Sequence, residues 1–543
     1  MRGSWLLAFA LAACAAPSSP SSPSTAPAPS TVARSSPTAP PVPALDSAPA
    51  DWQLLDAATD GIQGTGARRA VRELLAGRKP ARTVVVAVLD GGVDTAHAAL
   101  RERLWTNPRE VAGNGRDDDG NGLVDDTRGW NFLGGPDGRN VEHETLELTR
   151  EYARCERAGA SAPECATITA EFNAKREEAR MEASQIERIA AVWVGSTRVL
   201  QRAMPGDSLT IERVTAFVPT SDTLTAARDM YLRLAGGGVT PQVLDKASKD
   251  VQDRMEYDLN PAYNPRPIVG DDPTNVSQRA YGNRDVTGPD ASHGTHVAGI
   301  IGAVRQGTAG AEGLATEVRL MSVRVVPDGD ERDKDVANGI RYAVDNGAQI
   351  INMSFGKGFS PDKRAVDEAV KYAESKGVLL VHASGNDGED LATAPNFPHA
   401  IYLDGGRAKN WIEVGASSWE GGDQLAASFS NYGRAQVDLF APGVDILSTV
   451  PGGGYERNSG TSMAAPVVSG VAALLMSYFP QLTGTDVKRI LIESAARYPD
   501  KMVARPGGKE GDMVRFGDLS ATGGVVDAYA AVRAAMAIGR NTP

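Results

Sequence analysis

Six short runs of β-branched and aliphatic residues, separated by helical patterns, constrain this chain more than any other feature. They are VVVAVLD (84 to 90), VRLMSVRVV (318 to 326), AQIINMSF (348 to 355), VLLVHAS (378 to 384), WIEVGAS (411 to 417) and VDLFAP (437 to 442). Each is nearly continuous in apolar character rather than alternating, the pattern of a strand buried on both faces. Helical spacing follows near 293 to 305, 333 to 346, 361 to 376, 462 to 479 and 485 to 496. This alternation predicts an α/β fold: a mostly parallel sheet covered by helices on both faces, with functional groups gathered at the carboxyl ends of its strands.

Between about 140 and 265 the rhythm stops. Phe172, Ile186, Ile189 and Trp193 stand among many Glu and Arg residues, and TLTAARDMYLRLAGGG carries a stop signal at Gly236. The stretch reads as a helical insertion, a subdomain packed on the main body. It contains Cys155 and Cys165, whose spacing permits a small-loop disulfide in an exported protein and fits two free thiols on helical segments equally well.

The amino terminus points to export. Arg2 precedes WLLAFALAA, too short to span a bilayer and shaped like a secretory signal over residues 1 to 13. Leu11-Ala12-Ala13-Cys14 resembles a bacterial lipobox, which implies lipidation of Cys14; cleavage at a small-x-small site such as Ala13-Cys14-Ala15 is the alternative. The expected location is therefore the periplasmic or cell-surface side of a bacterial membrane, with membrane contact through that lipid alone, or otherwise secretion. Residues 14 to 50 are almost all Pro, Ser, Ala and Thr and read as a tether, since they bury too little apolar area to offset ordering entropy. A short extension, 51 to 80, precedes a main domain expected over 81 to 540. The formal charge of -12, with no long Lys/Arg run, argues against nucleic acid as a partner.

Three element ends carry polar groups that a purely structural design does not need. Asp90 closes the first strand, His293 opens the helix of SHGTHVAGIIGA, and Ser462 sits at the start of the apolar helix in NSGTSMAAPVVSGVAALL. Taken singly, each has an ordinary reading: a turn former, a packed histidine and an N-cap. Their order is one of the known orders that build a Ser-His-Asp triad. Moreover, AVLDGGVD, HGTHVAG and GTSMAAP resemble the three active-site signatures of the subtilisin-like serine peptidases. INMSFG, HASGND, FAPG and ATGGVVDAYAAV extend the resemblance from about residue 82 to 535, apart from the insertion.

The resemblance implies a three-layer subtilisin-like fold and a serine endopeptidase acting on proteins or peptides through an acyl-enzyme. His293 would take the Ser462 proton and return it to the leaving amine, with Asp90 orienting the ring. His296 is expected to pack. Asn386 and the Ser462 N–H would hold the oxyanion. Ser354, Phe355 and Gly356, with Ala383, Ser384 and Gly385, would wall the primary side-chain pocket beside an added substrate strand. Lys357 stands where relatives commonly carry a small residue, leaving pocket depth and charge open.

A second kind of site is read in NGRDDDGNGLVDD, residues 114 to 126. Asp117, Asp119 and Asn121 project oxygens to one side, and Asp125 or Asp126 can close a cage suited to a structural calcium ion. The mechanism itself needs no metal. Four departures from the family pattern stand out. Gly91 replaces a hydroxyl residue after the aspartate, and His97-Ala98-Ala99-Leu100 lacks an aspartate that many relatives use for calcium. Asp90 and His293 lie 203 positions apart. Finally, the extension before the first strand is too short for the usual inhibitory prodomain, which predicts activation without one. Two other functions fit the chain: acyl transfer to an amine under a lid from the insertion, and a calcium-dependent surface binding module without turnover.

Overall fold

The computed structural model describes residues 47 to 540, apart from 160, 161, 207 and 309. The expected signal, the lipidation site Cys14 and the tether up to residue 46 lie outside the described residues. The end of the expected tether belongs instead to the body. Ala48 is buried, and its carbonyl accepts a hydrogen bond from Arg457 at 2.8 Å, so the boundary falls before residue 51.

The main strands are β1 (Val84–Asp90), β2 (Gly129–Asn131), β3 (Val318–Arg324), β4 (Ile350–Met353), β5 (Leu379–Ala383), β6 (Trp411–Ser417) and β7 (Leu439–Pro442). A hairpin, β8 (Ile446–Val450) with β9 (Gly454–Asn458), follows. Then come β10 (Ala496–Arg497), a pair formed by β11 (Met502–Ala504) and β12 (Met513–Arg515), and finally β13 (Gly524–Val525). Among the described residues the large sheet has nine strands in the order β10-β13-β7-β6-β5-β4-β1-β3-β2, parallel except for the β10–β13 edge pair. The expected α/β fold is thus observed.

Both faces of the sheet are covered, which explains the continuous apolar runs. In β1, Val84, Val86 and Val88 enter one core with residues of the helices Ser292–Gly302 and Thr461–Tyr478. Ala87 and Leu89 enter the other, against the helices Asp333–Asp345 and Lys363–Ser375. After β1 the chain adds β3 on one side, then returns to build β4 to β7 on the other. The carboxyl ends of β1 and β4 therefore flank the point where strand order reverses, where α/β sheets place their ligands.

Residues 148 to 263 form a compact unit of their own, narrower than the expected 140 to 265. Residues 140 to 147 look polar in sequence but pair with the body: Val141 N–H donates to Leu133 O and Glu144 N–H to Asp328 O, each at 2.8 Å. Within the unit, a helix of 41 residues, Pro163–Ala203, starts on a proline suited to a first turn. Thr210, Ser221 and Thr240 cap the next three helices through their side chains. Cys155 and Cys165 are joined in a disulfide with a Cα–Cα distance of 5.5 Å. Tyr152 stacks on Phe172, and Trp193 on Tyr231.

In the body, the first turn of the Asp333–Asp345 helix is bound in a buried charge network. Lys334 donates to Asp271 at 2.5 Å, and Asp335 accepts from Arg266 at 2.7 Å and from Tyr281 at 2.6 Å. Each buried charge has an opposite partner, without which it would be strongly destabilising.

Candidate active site

Asp90 ends β1 and is almost fully buried. Its Oδ1 accepts the Gly91 N–H at 2.7 Å, so the chain itself supplies a bond although Gly91 has no hydroxyl. His293 is the second residue of the Ser292–Gly302 helix, and its Nδ1 lies 2.9 Å and 3.0 Å from the two Asp90 oxygens. A Cβ on the next residue, Gly294, would stand 2.2 Å from Gly92 O and 3.1 Å from Asp90 Oδ1. The glycine lets the helix start press against the strand end, as the small residues of HGTHVAG require.

The His293 side chain keeps 46% of its surface exposed, so the far ring nitrogen is accessible. Burial acts to lower its pKa, but the charge and hydrogen bonds of Asp90 outweigh it and hold the pKa above the ordinary 6.5. His296, one turn on, is fully buried, with Nε2 3.1 Å from Glu456 O, and burial pushes its pKa down to about 4. It is a packed neutral histidine.

Ser462 is the second residue of the Thr461–Tyr478 helix, whose N-cap is Gly460. Its hydroxyl donates to Ser354 O at 3.1 Å. Among the described residues no hydrogen bond joins it to His293, so forming one requires the hydroxyl to turn away from Ser354. Pro466, four residues on, lacks the N–H that would normally reach the Ser462 carbonyl. That carbonyl instead accepts from Ser354 Oγ at 2.9 Å, and Ser354 Oγ in turn accepts from Asn352, which is bonded to Ser469. The proline thus frees an acceptor that pins the helix start to the end of β4.

Asn386 follows β5. Its Oδ1 accepts the Thr461 N–H at 2.8 Å and the Thr461 hydroxyl at 3.0 Å. A backbone N–H can only donate, so this contact fixes the amide flip and leaves Nδ2 as the group available beside Gly460. The Ser462 N–H, in the first turn, has no partner within the helix. Asn431 went unnoticed in the sequence, because nothing in SFSNYG distinguishes it from a turn residue. It accepts the N–H groups of Asp387 and Glu389 and donates to Ser384 O, shaping the loop that carries Asn386.

The expected pocket residues lie at neighbouring strand ends: Ser354, Phe355 and Gly356 after β4, and Ala383 at the end of β5 with Ser384 and Gly385 following it. Lys357 is buried, and its ammonium bonds Glu147 at 2.7 Å, Asp333 at 2.9 Å and the Glu331 carbonyl at 2.7 Å. Its charge is taken up by that cluster rather than offered to a ligand.

In the acidic loop, Asp119 and Asp126 come together with Glu110, with carboxylate oxygens within 4.8 Å of one another. Asp126 is fully buried, and burial pushes its carboxyl up to about 6 despite bonds from Tyr342, Asn107 and Asn121. Asp117 and Asp125 are held by bonds within and beside the loop. Asp117 accepts the N–H groups of Gly120, Asn121 and Gly122; Asp125 accepts those of Gly113 and Gly115 and pairs with Arg284. Asn121 donates to Asp126 at 3.1 Å. Glu110 was missed because it lies before the acidic run.

The subtilase family model matches residues 81 to 510. A thermophilic serine proteinase of Bacillus sp. (strain AK1) is 44% identical over 187 residues, which are 34% of this chain and 43% of that protein. Thermitase of Thermoactinomyces vulgaris is 42% identical over 186 residues, 34% of this chain and 61% of thermitase. The cell wall-associated protease of Bacillus subtilis (strain 168) is 37% identical over 223 residues, 41% of this chain and 23% of that protein. The chain thus spans less than two thirds of the length of each of these relatives.

Proposed function

Since the chain belongs to the subtilase family, we propose that it is a serine endopeptidase that hydrolyses peptide bonds in proteins or peptides through an acyl-enzyme. The observation that carries this reading is the Asp90–His293 pairing at the switch point of the sheet, with Ser462 at a helix start bonded to Ser354 at the end of the neighbouring strand β4. Ser462 Oγ attacks the scissile carbonyl once turned toward His293, whose far nitrogen takes the proton. The ring then gives that proton to the leaving amine, and water repeats the sequence on the ester. Asp90 fixes the ring tautomer and stabilises the imidazolium. The oxyanion lies between Asn386 Nδ2 and the Ser462 N–H. The direct test is reaction with a fluorophosphonate together with casein cleavage; a folded protein that does neither is not such a peptidase.

Asn386→Ala should lower kcat by about a hundred- to a thousand-fold, a size known from subtilisins, with KM little changed. Steady-state kinetics on a chromogenic peptide checks this, and an equal rise in KM would point to ground-state binding instead.

We assign the acidic loop a structural calcium ion, held by Glu110, Asp119 and Asp126, a hard all-oxygen set that fits the cation. The ion would neutralise crowded carboxylates and supplies no step of the chemistry. Calcium at a hundredfold excess over its Kd should stabilise the protein by about 2.7 kcal/mol. Thermal unfolding with calcium and with a chelator measures this, and identical curves would remove the ion from the account. Export is the companion proposal, supported by the signal-like residues 1 to 13 and by the cell-wall association that one relative's name records. Lipidation at Cys14 is its finer form, tested by mass spectrometry of the mature amino terminus.

A further inference from the structure

The geometry points to residues 47 to 80 as a permanent positioning element of the active site, with Trp52 as its principal contact. This inference rests on the serine-peptidase reading above. Trp52 is fully buried, and its indole N–H donates to Val444 O at 2.9 Å. Val444 lies between β7 and β8, and its two neighbours hold the residues just before Ser462. Gly443 O accepts the Gly460 N–H at 2.8 Å, and Asp445 N–H donates to Ser459 Oγ at 2.9 Å.

There is little slack in this contact. A Cβ on Gly443 would stand 2.7 Å from Ala416 Cβ and 2.8 Å from Gly460 O, so any shift of 443 to 445 is passed to the N-cap of the Ser462 helix. Arg457, in the strand leading to that turn, closes the arrangement by donating to Asp445 O and Ala48 O, each at 2.8 Å. One indole and one carbonyl from the segment therefore brace both stretches that frame the nucleophile turn.

The segment is also built into the core. Trp52, Leu54, Ile62, Ala67 and Leu75 are all at most 6% exposed, in one cluster with Val467 and Val471 of the Ser462 helix. Thr65 O accepts the Ala528 N–H at 2.7 Å. Removing the segment would expose apolar core and leave buried backbone groups without partners.

The test uses the full-length protein, with Trp52→Phe beside Ile62→Ala. The first keeps a ring and loses the donor to Val444, while the second loosens the same segment away from the nucleophile turn. Trp52→Phe should slow fluorophosphonate acylation and lower kcat about tenfold, less than a 1 Å misplacement can cost, with KM unchanged. Ile62→Ala should lower the unfolding temperature at least as much, yet slow acylation clearly less than Trp52→Phe does. Amino-terminal sequencing of the labelled wild-type protein, which depends on neither variant folding, should find Trp52 retained. A wild type that does not label defeats the peptidase reading itself. If wild type labels, the positioning role is overturned by Trp52→Phe acylating at the wild-type rate, by both variants slowing equally, or by an active species that begins after residue 80.

Discussion

Replacing Ser462 by alanine is expected to reduce turnover on the order of a million-fold and to abolish fluorophosphonate labelling, with the fold intact. The size is that known for subtilisins rather than one worked out from this site. The direction follows from the chemistry: without Oγ no acyl-enzyme forms, and only the oxyanion donors and substrate binding remain, worth about 10³- to 10⁴-fold over water. Little stability should be lost, since the hydroxyl makes a single bond, to Ser354 O at 3.1 Å, and the Ser354 Oγ contact is to the Ser462 backbone. Steady-state hydrolysis of a peptide and a thermal melt check the two halves. A labelled alanine variant would move the nucleophile elsewhere.

Asp90→Asn should lower kcat by about 10⁴-fold at neutral pH. Both Asp90 oxygens face His293 Nδ1, so that nitrogen carries the proton and the far one is left as the base. An asparagine can present its N–H₂ group to Nδ1 and favour the opposite tautomer. The pH profile carries a second signature. Activity needs neutral His293, so kcat/KM falls as pH drops through its pKa, which Asp90 holds above 6.5. Neutralising Asp90 removes that support, and the acid limb should move to lower pH while the plateau collapses. Because the triad acts as a unit, adding Asp90→Asn to Ser462→Ala should cost little more. A limb that stays in place would mean that another charge sets the His293 pKa.

The sheet was legible because its strands are short, apolar and separated by helices; the spans read for 84 to 90 and 411 to 417 coincide with β1 and β6. Asp90, His293 and Asn386 lie inside distinctive motifs and stand out before any packing is known. What escaped notice depends on direction or on distant partners. The sequence leaves open where the Lys357 charge goes, and only packing turns it toward Glu147 and Asp333. The tight turns of the acidic loop bring three N–H groups to the Asp117 carboxylate, a placement that its residue type alone does not give. Trp52 follows a low-complexity stretch and belongs to no periodic pattern, while its acceptor lies 392 positions away. The insertion's edge was misjudged because charged residues such as Glu144 read as surface, whereas Glu144 is buried and paired with Arg332 at 2.8 Å.

The first three residues of the Asp333–Asp345 helix set where the insertion leaves and rejoins the body. Asp333 shares the Lys357 ammonium with Glu147, the stem where residues 148 to 263 branch off; Lys334 and Asp335 hold the returning stem through Asp271 and Arg266. Departure and return are thus fastened to a single helical turn of the host, which makes the excursion a cassette. Among the described residues, no strand of the nine-stranded sheet comes from that excursion, so every strand finds its neighbours without it.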